Sequence, residues 1–133
     1  MSEMENPFIL IVEDDSPMRG LLRKVLEKNS YTVIEAEDGE QALSLLKENP
    51  DISLVITDIK MPKKDGMTLL EEAASSFPQV KIIMITAFGE VEQYLEAMNI
   101  GAFEYLNKPF RNQELLDVVS RALESEHEKG REN

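Results

Sequence analysis

At 133 residues the chain is near the commonest size of a single domain, and 42% hydrophobic residues are enough to bury a core. With no cysteine, it has neither a disulfide framework nor thiolate chemistry. A net charge of −12, from 26 acidic and 14 basic residues, works against direct binding to nucleic acid or an anionic membrane.

The acidic start MSEMENP lacks the basic stretch and apolar run of a secretion signal, so residues 1–6 read as an N-terminal extension. No apolar run approaches the roughly 20 residues of a membrane span, and the chain is expected to be cytoplasmic. From there two sequence periods alternate. FILIV (8–12) reads as a strand, and Met18, Leu21, Leu22, Val25 and Leu26 form a helical stripe after it. Ser16 followed by Pro17 looks like that helix's N-cap and first-turn proline. YTVIEA (31–36) is the second strand, and Asp38 with Gln41 forms a capping-box variant before Ala42, Leu43, Leu45 and Leu46. SLVIT (53–57) precedes the stripe Leu69, Leu70, Ala73, Ala74 and Phe77. VKIIMIT (80–86) precedes Val91, Tyr94, Leu95 and Met98, a stripe read mostly as core with Tyr94 partly exposed. FEYL (103–106) precedes Leu115, Val118, Val119, Ala122 and Leu123, with Asn112 as a candidate cap.

Five strand–helix units give an α/β, (βα)5 chain. The first, third and fourth strands are apolar almost throughout, as interior parallel strands are. With right-handed crossovers the expectation is a doubly wound, five-stranded parallel sheet of flavodoxin-like order 2-1-3-4-5, helices on both faces. One domain is expected over residues 7–124, with 125–133 a polar tail, a frayed helix end or the start of a linker.

Ligands of open α/β sheets bind outside the carboxyl ends of the strands. Those ends deliver Glu13, Asp14 and Asp15, then Asp58, then Thr86 and Ala87, then Asn107, Lys108 and Pro109. Each alone has a bland reading: a solvated turn, a loop carboxylate, a good strand residue, a surface lysine. Together they are harder to dismiss, because carboxylates at adjacent strand ends repel unless a cation intervenes. Oxygen donors without Cys or His suit Mg²⁺, or Mn²⁺ in its place. Thr86 and Lys108 then read as donors to an anion on the same metal. A metal, a hydroxyl and an ammonium around a carboxylate are what phosphoryl transfer requires, with the carboxylate as nucleophile.

With ILIVEDD (9–15), ITDIKMPKKDG (56–66), ITA (85–87) and GAFEYLNKPF (101–110), the sequence resembles the receiver domains of bacterial two-component response regulators. It is most similar in motif to receivers of enhancer-binding activators and to stand-alone receivers. The resemblance implies Asp58 as phosphoacceptor, Asp14 as direct metal ligand, Glu13 acting through water, and the Lys60 backbone carbonyl completing the shell. It implies Thr86 as the switch hydroxyl, Lys108 as the ammonium that pairs with the phosphoryl group, and a cis Lys108–Pro109 peptide. Tyr105 resembles the aromatic switch, Gly66 is taken to allow a turn conformation costly for other residues, and Ala87 leaves room for the phosphoryl oxygens. The implied donor is a histidine kinase or phosphotransfer protein, since the only histidine, His127, stands in the polar tail. The implied output is the helix 4–strand 5–helix 5 face, through a homodimer or an output domain, fused or separate, with transcription regulation among its uses.

Lys60 and Phe88 occupy the two positions that in this family flank the line of attack for water, so they are read as setting the phosphoryl lifetime. Two other functions are weighed: a pseudo-receiver that binds without chemistry, and an aspartyl-phosphate phosphatase. The phosphatase needs a second acid where Lys60 stands. The chain is thus expected not to be an enzyme beyond promoting its own phosphorylation and dephosphorylation.

Overall fold

The computed structural model describes residues 8–61, 64–87 and 91–132, with the side chains at 91 and 125–132 excepted. In chain order the elements are β1 (Phe8–Val12), α1 (Ser16–Lys28), β2 (Thr32–Ala36), α2 (Gly39–Glu48) and β3 (Ile52–Asp58). They continue with α3 (Gly66–Ser76), β4 (Lys81–Thr86), α4 (Val91–Ile100), β5 (Glu104–Asn107) and α5 (Asn112–Glu132). The five strands form one parallel sheet in the order β2-β1-β3-β4-β5, as the alternating periods require. The order reverses between β1 and β3, which places a crevice at their carboxyl ends.

Strand alternation sends side chains to two helical layers. Ile9, Ile11, Leu54, Ile56, Ile83 and Ile85 pack under Leu22 and Leu26 of α1 and Leu115, Val118 and Val119 of α5. Leu10, Val12, Val55, Ile82 and Met84 pack under Ala42 and Leu46 of α2, Leu69, Leu70 and Ala73 of α3, and Ala97 of α4. The three inner strands are therefore covered on both faces, and each fully buried Leu or Ile contributes about 1.5–3 kcal/mol. Ile52 shares the second face with Val55 because a register shift between Phe8 and Ile9 takes up Ser53.

Several local expectations need correcting. Asp15, not Ser16, caps α1: its carboxylate accepts from the Met18 N–H at 3.0 Å, and Ser16 is the first helical residue. The Asp38–Gln41 capping-box variant, by contrast, is as expected: Asp38 caps α2 by accepting from Gln41 N–H at 2.9 Å, while the Gln41 side chain returns to the Glu37 N–H at 2.7 Å. Asn112 opens α5 rather than capping it, and Arg111 stands before it with its N–H donated to Glu114 at 2.7 Å. The backbone of α5 continues helically past residue 124, to Glu132. Leu21 of the first helical stripe and Leu95 of the stripe read mostly as core are 55% and 59% exposed, and Ala97 is the buried anchor of α4.

Candidate functional site

The carboxyl edge of the sheet brings together side chains far apart in sequence. Asp58 is the last residue of β3, paired in register with Ile85. The ladder continues one step past it, with Ile59 N–H donated to the Ile85 carbonyl at 3.2 Å. The loop that follows closes tightly. Gly66 N–H donates to the Ile59 carbonyl at 2.7 Å, and a Cβ on Gly66 would stand 2.2 Å from the Asp58 carbonyl oxygen. The glycine is therefore required by close approach; its φ is not positive, contrary to the turn-conformation expectation. The same loop is braced from α2, where Gly39 N–H donates to the Lys64 carbonyl at 3.0 Å. Thr57 donates its hydroxyl to the Asp58 carbonyl at 2.8 Å, and Lys60 N–H reaches Asp58 Oδ1 at 3.3 Å.

Lys108 enters from the far side. Its peptide to Pro109 is cis, as the resemblance implied, and its N–H donates to the Thr86 carbonyl at 2.7 Å. Its Nζ stands 2.9 Å from Asp58 Oδ2 and 3.4 Å from Glu13 Oε1. Glu13, just past β1, is 3% exposed, and its Oε2 accepts from the Asp15 N–H at 3.1 Å. Burial pushes the Glu13 carboxyl up to about 7; the Asp15 hydrogen bond and Lys108 oppose this, and the neighbouring Asp58 reinforces it. Burial works against the Lys108 ammonium, but its hydrogen bond to Asp58 and the charges of both acids outweigh that and raise its pKa. Two carboxylates thus share one ammonium.

Asp14 lies in the same loop and is exposed; Thr86 is buried at the end of β4. Tyr105 in β5 is 8% exposed, and its ring stands 5.5 Å edge-on, at 85°, from the ring of Tyr94. Lys60 is exposed beside Asp58. Phe88 lies outside the described residues. Among the described residues, no group of three or more His, Cys, Asp or Glu side chains is arranged to hold a metal unaided. A Mg²⁺ ion does not need one, since it keeps several waters and takes only one or two carboxylates. The donor set fits it: a buried carboxylate pressed against a second one, oxygen ligands only, and room for further positive charge.

Sequence reasoning passed over one group. Arg19 in α1 donates from Nη1 to the Glu13 carbonyl at 2.7 Å and from Nε to Glu35 Oε1 of β2 at 2.8 Å. Arg23 binds the other oxygen of Glu35 at 2.5 Å. The available signal was Glu35 itself, a lone carboxylate inside the strand TVIEA, in register with the core residue Ile11.

This fold and this edge define a class: a doubly wound, flavodoxin-like domain with a charged site at its topological switch point. The chain belongs to the response regulator receiver domain family, which matches residues 9–120. It is 39% identical to chemotaxis protein CheY of Bacillus subtilis, over 86% of this chain and 96% of that protein. It is 37% identical to sporulation initiation phosphotransferase F of the same organism, over 90% and 96%. It is 40% identical to transcriptional regulatory protein CpxR of Escherichia coli, and spans only 50% of that relative's length. A CheY-like receiver structure from Methanospirillum hungatei superimposes with a TM-score of 0.89 at 31% identity, covering 94% and 99% of the two chains. The CheY of a CheX-CheY-BeF₃-Mg²⁺ complex from Borrelia burgdorferi superimposes at 0.87 with 28% identity, covering 92% of each. No helix among the described residues is long and apolar enough to cross a membrane.

Proposed function

We propose that Asp58 accepts a phosphoryl group, with Mg²⁺, from a histidine kinase or phosphotransfer protein, and that the new charge alters the α4–β5–α5 face. One observation carries the reading: Asp58 is held at the switch point with Lys108 Nζ 2.9 Å away and buried Glu13 beside it. An Asp58 oxygen forms the new P–O bond as the donor's P–N bond breaks; the electron pair of that bond stays on the ring nitrogen, and the imidazole leaves neutral because its other nitrogen carries a proton. Lys108 neutralises charge on the transferred oxygens and keeps the carboxylate aimed outward. Asp14 and Asp58 would hold the ion directly, Glu13 through water, and Lys60 through its carbonyl. When bound, the ion supplies the remaining charge neutralisation. That the Borrelia structure is of a complex with BeF₃ and Mg²⁺ supports Mg²⁺ as the ion.

A donor in trans needs a landing place. A cavity of about 550 Å³ beside Lys108 is lined by Met18, Leu21, Val25, Pro109 and Phe110, which makes the exposure of Leu21 intelligible as contact surface. On the output side, Tyr94 and Leu95 are exposed on α4, and Tyr94 leans on Tyr105, so a shift of Tyr105 would be felt at that surface. Transcription or another output then depends on the partner of this face.

Incubation with Mg²⁺ and a phosphorylated donor should give a covalent adduct by mass spectrometry, absent in Asp58→Asn. Beryllofluoride with Mg²⁺ should move the amide resonances of residues 86–106; unmoved resonances would overturn the switch. Phe88 and Lys60 are proposed to shield the acyl phosphate, so Phe88→Ala should shorten its half-life, and an unchanged half-life would remove that role.

A further inference from the structure

The Arg19–Glu35–Arg23 group lies outside the proposed phosphoryl chemistry, yet it ends on the backbone of the site. Glu13 leaves β1 with its backbone held on both sides of its Cα. Its N–H donates to the Ala36 carbonyl at 3.1 Å, the last step of the β1–β2 ladder. Its carbonyl accepts from Arg19 Nη1 at 2.7 Å. The next residue is Asp14, so the carbonyl that Arg19 grips belongs to the peptide joining the two acids. The Arg19 side chain is 13% exposed, a well-covered position for an arginine, and its second contact, to Glu35, fixes the plane of the guanidinium.

Glu35 is in turn clamped from α1 one turn further on. Arg23 binds Glu35 Oε2 at 2.5 Å and Glu27 Oε2 at 2.9 Å. The Arg23 hydrogen bond, aided by Arg19, holds the Glu35 carboxyl below its ordinary value despite partial burial. The Arg23 guanidinium is correspondingly raised by Glu35 and Glu27. Both Glu35 oxygens are therefore occupied, one by each arginine, and the pair cannot rotate without breaking a charged hydrogen bond. The chain of contacts runs from β2 through α1 to the Glu13–Asp14 peptide.

We infer that Arg19 is a positioning residue for the metal-binding loop, held in place by Glu35 and Arg23, so that β2 and α1 set where Asp14 and Glu13 present their carboxylates. This rests on the Mg²⁺ reading proposed above. A positioning role differs from a merely structural one in what its loss changes. If Arg19 only ties α1 to β2, its removal costs stability and leaves the folded site intact. If it positions the loop, the folded protein binds the ion less well.

The test is Mg²⁺ titration followed by amide shifts at Asp14, Asp58 and Lys60, in protein shown to be folded by circular dichroism. Arg19→Ala should weaken Mg²⁺ binding by about tenfold or more, the range that loss of an outer partner of a ligand costs. Arg19→Lys should recover only part of this, because one ammonium cannot serve as a fork to both the carbonyl and Glu35. Glu35→Gln should fall between Arg19→Ala and wild type, and Arg121→Ala, which removes only the surface pair with Glu104, should leave affinity unchanged. Wild-type affinity in folded Arg19→Ala or, should that variant not fold, in Arg19→Lys overturns the positioning role while the Mg²⁺ reading stands. Absence of Mg²⁺ binding in the wild type overturns both.

Discussion

Alanine at Gly20 and alanine at Gly66 should move stability in opposite directions. Gly20 lies inside α1 with nothing within 4 Å of a built Cβ, so alanine there should stabilise by about 0.5–1 kcal/mol through reduced chain entropy. At Gly66 the same methyl would stand 2.2 Å from the Asp58 carbonyl oxygen and 2.8 Å from the Ile59 Cα, both backbone atoms. Alanine there should destabilise by about 1–3 kcal/mol, as overpacking does. Urea titrations of the two variants check both signs. Single residues also show where the sequence misleads. It is silent on why a glycine stands at 66, since close approach and special φ leave the same letter. Arg19 and Glu35 are ordinary charged residues until β2 is laid beside β1 and α1 folds over both. By contrast, Asp58, Thr86 and Lys108 were legible because strand ends converge by geometry, and Asp58 and Lys108 do meet there.

The helices are unequally anchored. α3 buries Gly66, Leu69, Leu70 and Ala73, whereas α4, among its described side chains, buries Ala97 alone and exposes Tyr94 and Leu95. Local opening costs less where less apolar area is buried. Native-state hydrogen exchange should therefore show the interior amides of α4 exchanging about tenfold or more faster than those of α3. Equal protection would contradict the view of α4 as the loosely held element. The strands themselves are plain in the sequence, because both faces of β1, β3 and β4 are covered and apolar residues fill most of their buried positions, Thr57 and Thr86 excepted. The exposure of Leu21 and Leu95 has the converse reason: helical periodicity marks a stripe, but it does not say how wide the layer beneath is. The cap of α1 was misplaced by one residue, Ser16 for Asp15, since both side chains can accept from a helix N-terminus.

At the scale of the whole molecule, the raised Glu13 carboxyl links global stability to pH. Its folded value of about 7 lies above its ordinary value of 4.5, so between these the folded state holds more of the proton than the unfolded chain does. The stability contributed by protonated Glu13 is fully present below 4.5 and is lost as pH rises toward 7. Glu35, whose carboxyl is lowered, acts only below that window, and Lys108, whose ammonium is raised, only well above it. In metal-free solution, wild type should lose stability between about pH 5 and about pH 7.5 relative to Glu13→Gln, by urea titration; parallel curves would contradict this. The network also spans the chain. Lys108 follows Asp58 by 50 residues and Glu13 by 95. A ribosome releases Asp58 long before Lys108, and β4, which pairs with the strand that ends in Asp58, emerges between them. A half-made chain would carry its acids unneutralised, in a sheet still missing an edge. Under the proposed function, such a chain would lack the ammonium that a phosphoryl group on Asp58 needs, so only finished domains would draw on a donor.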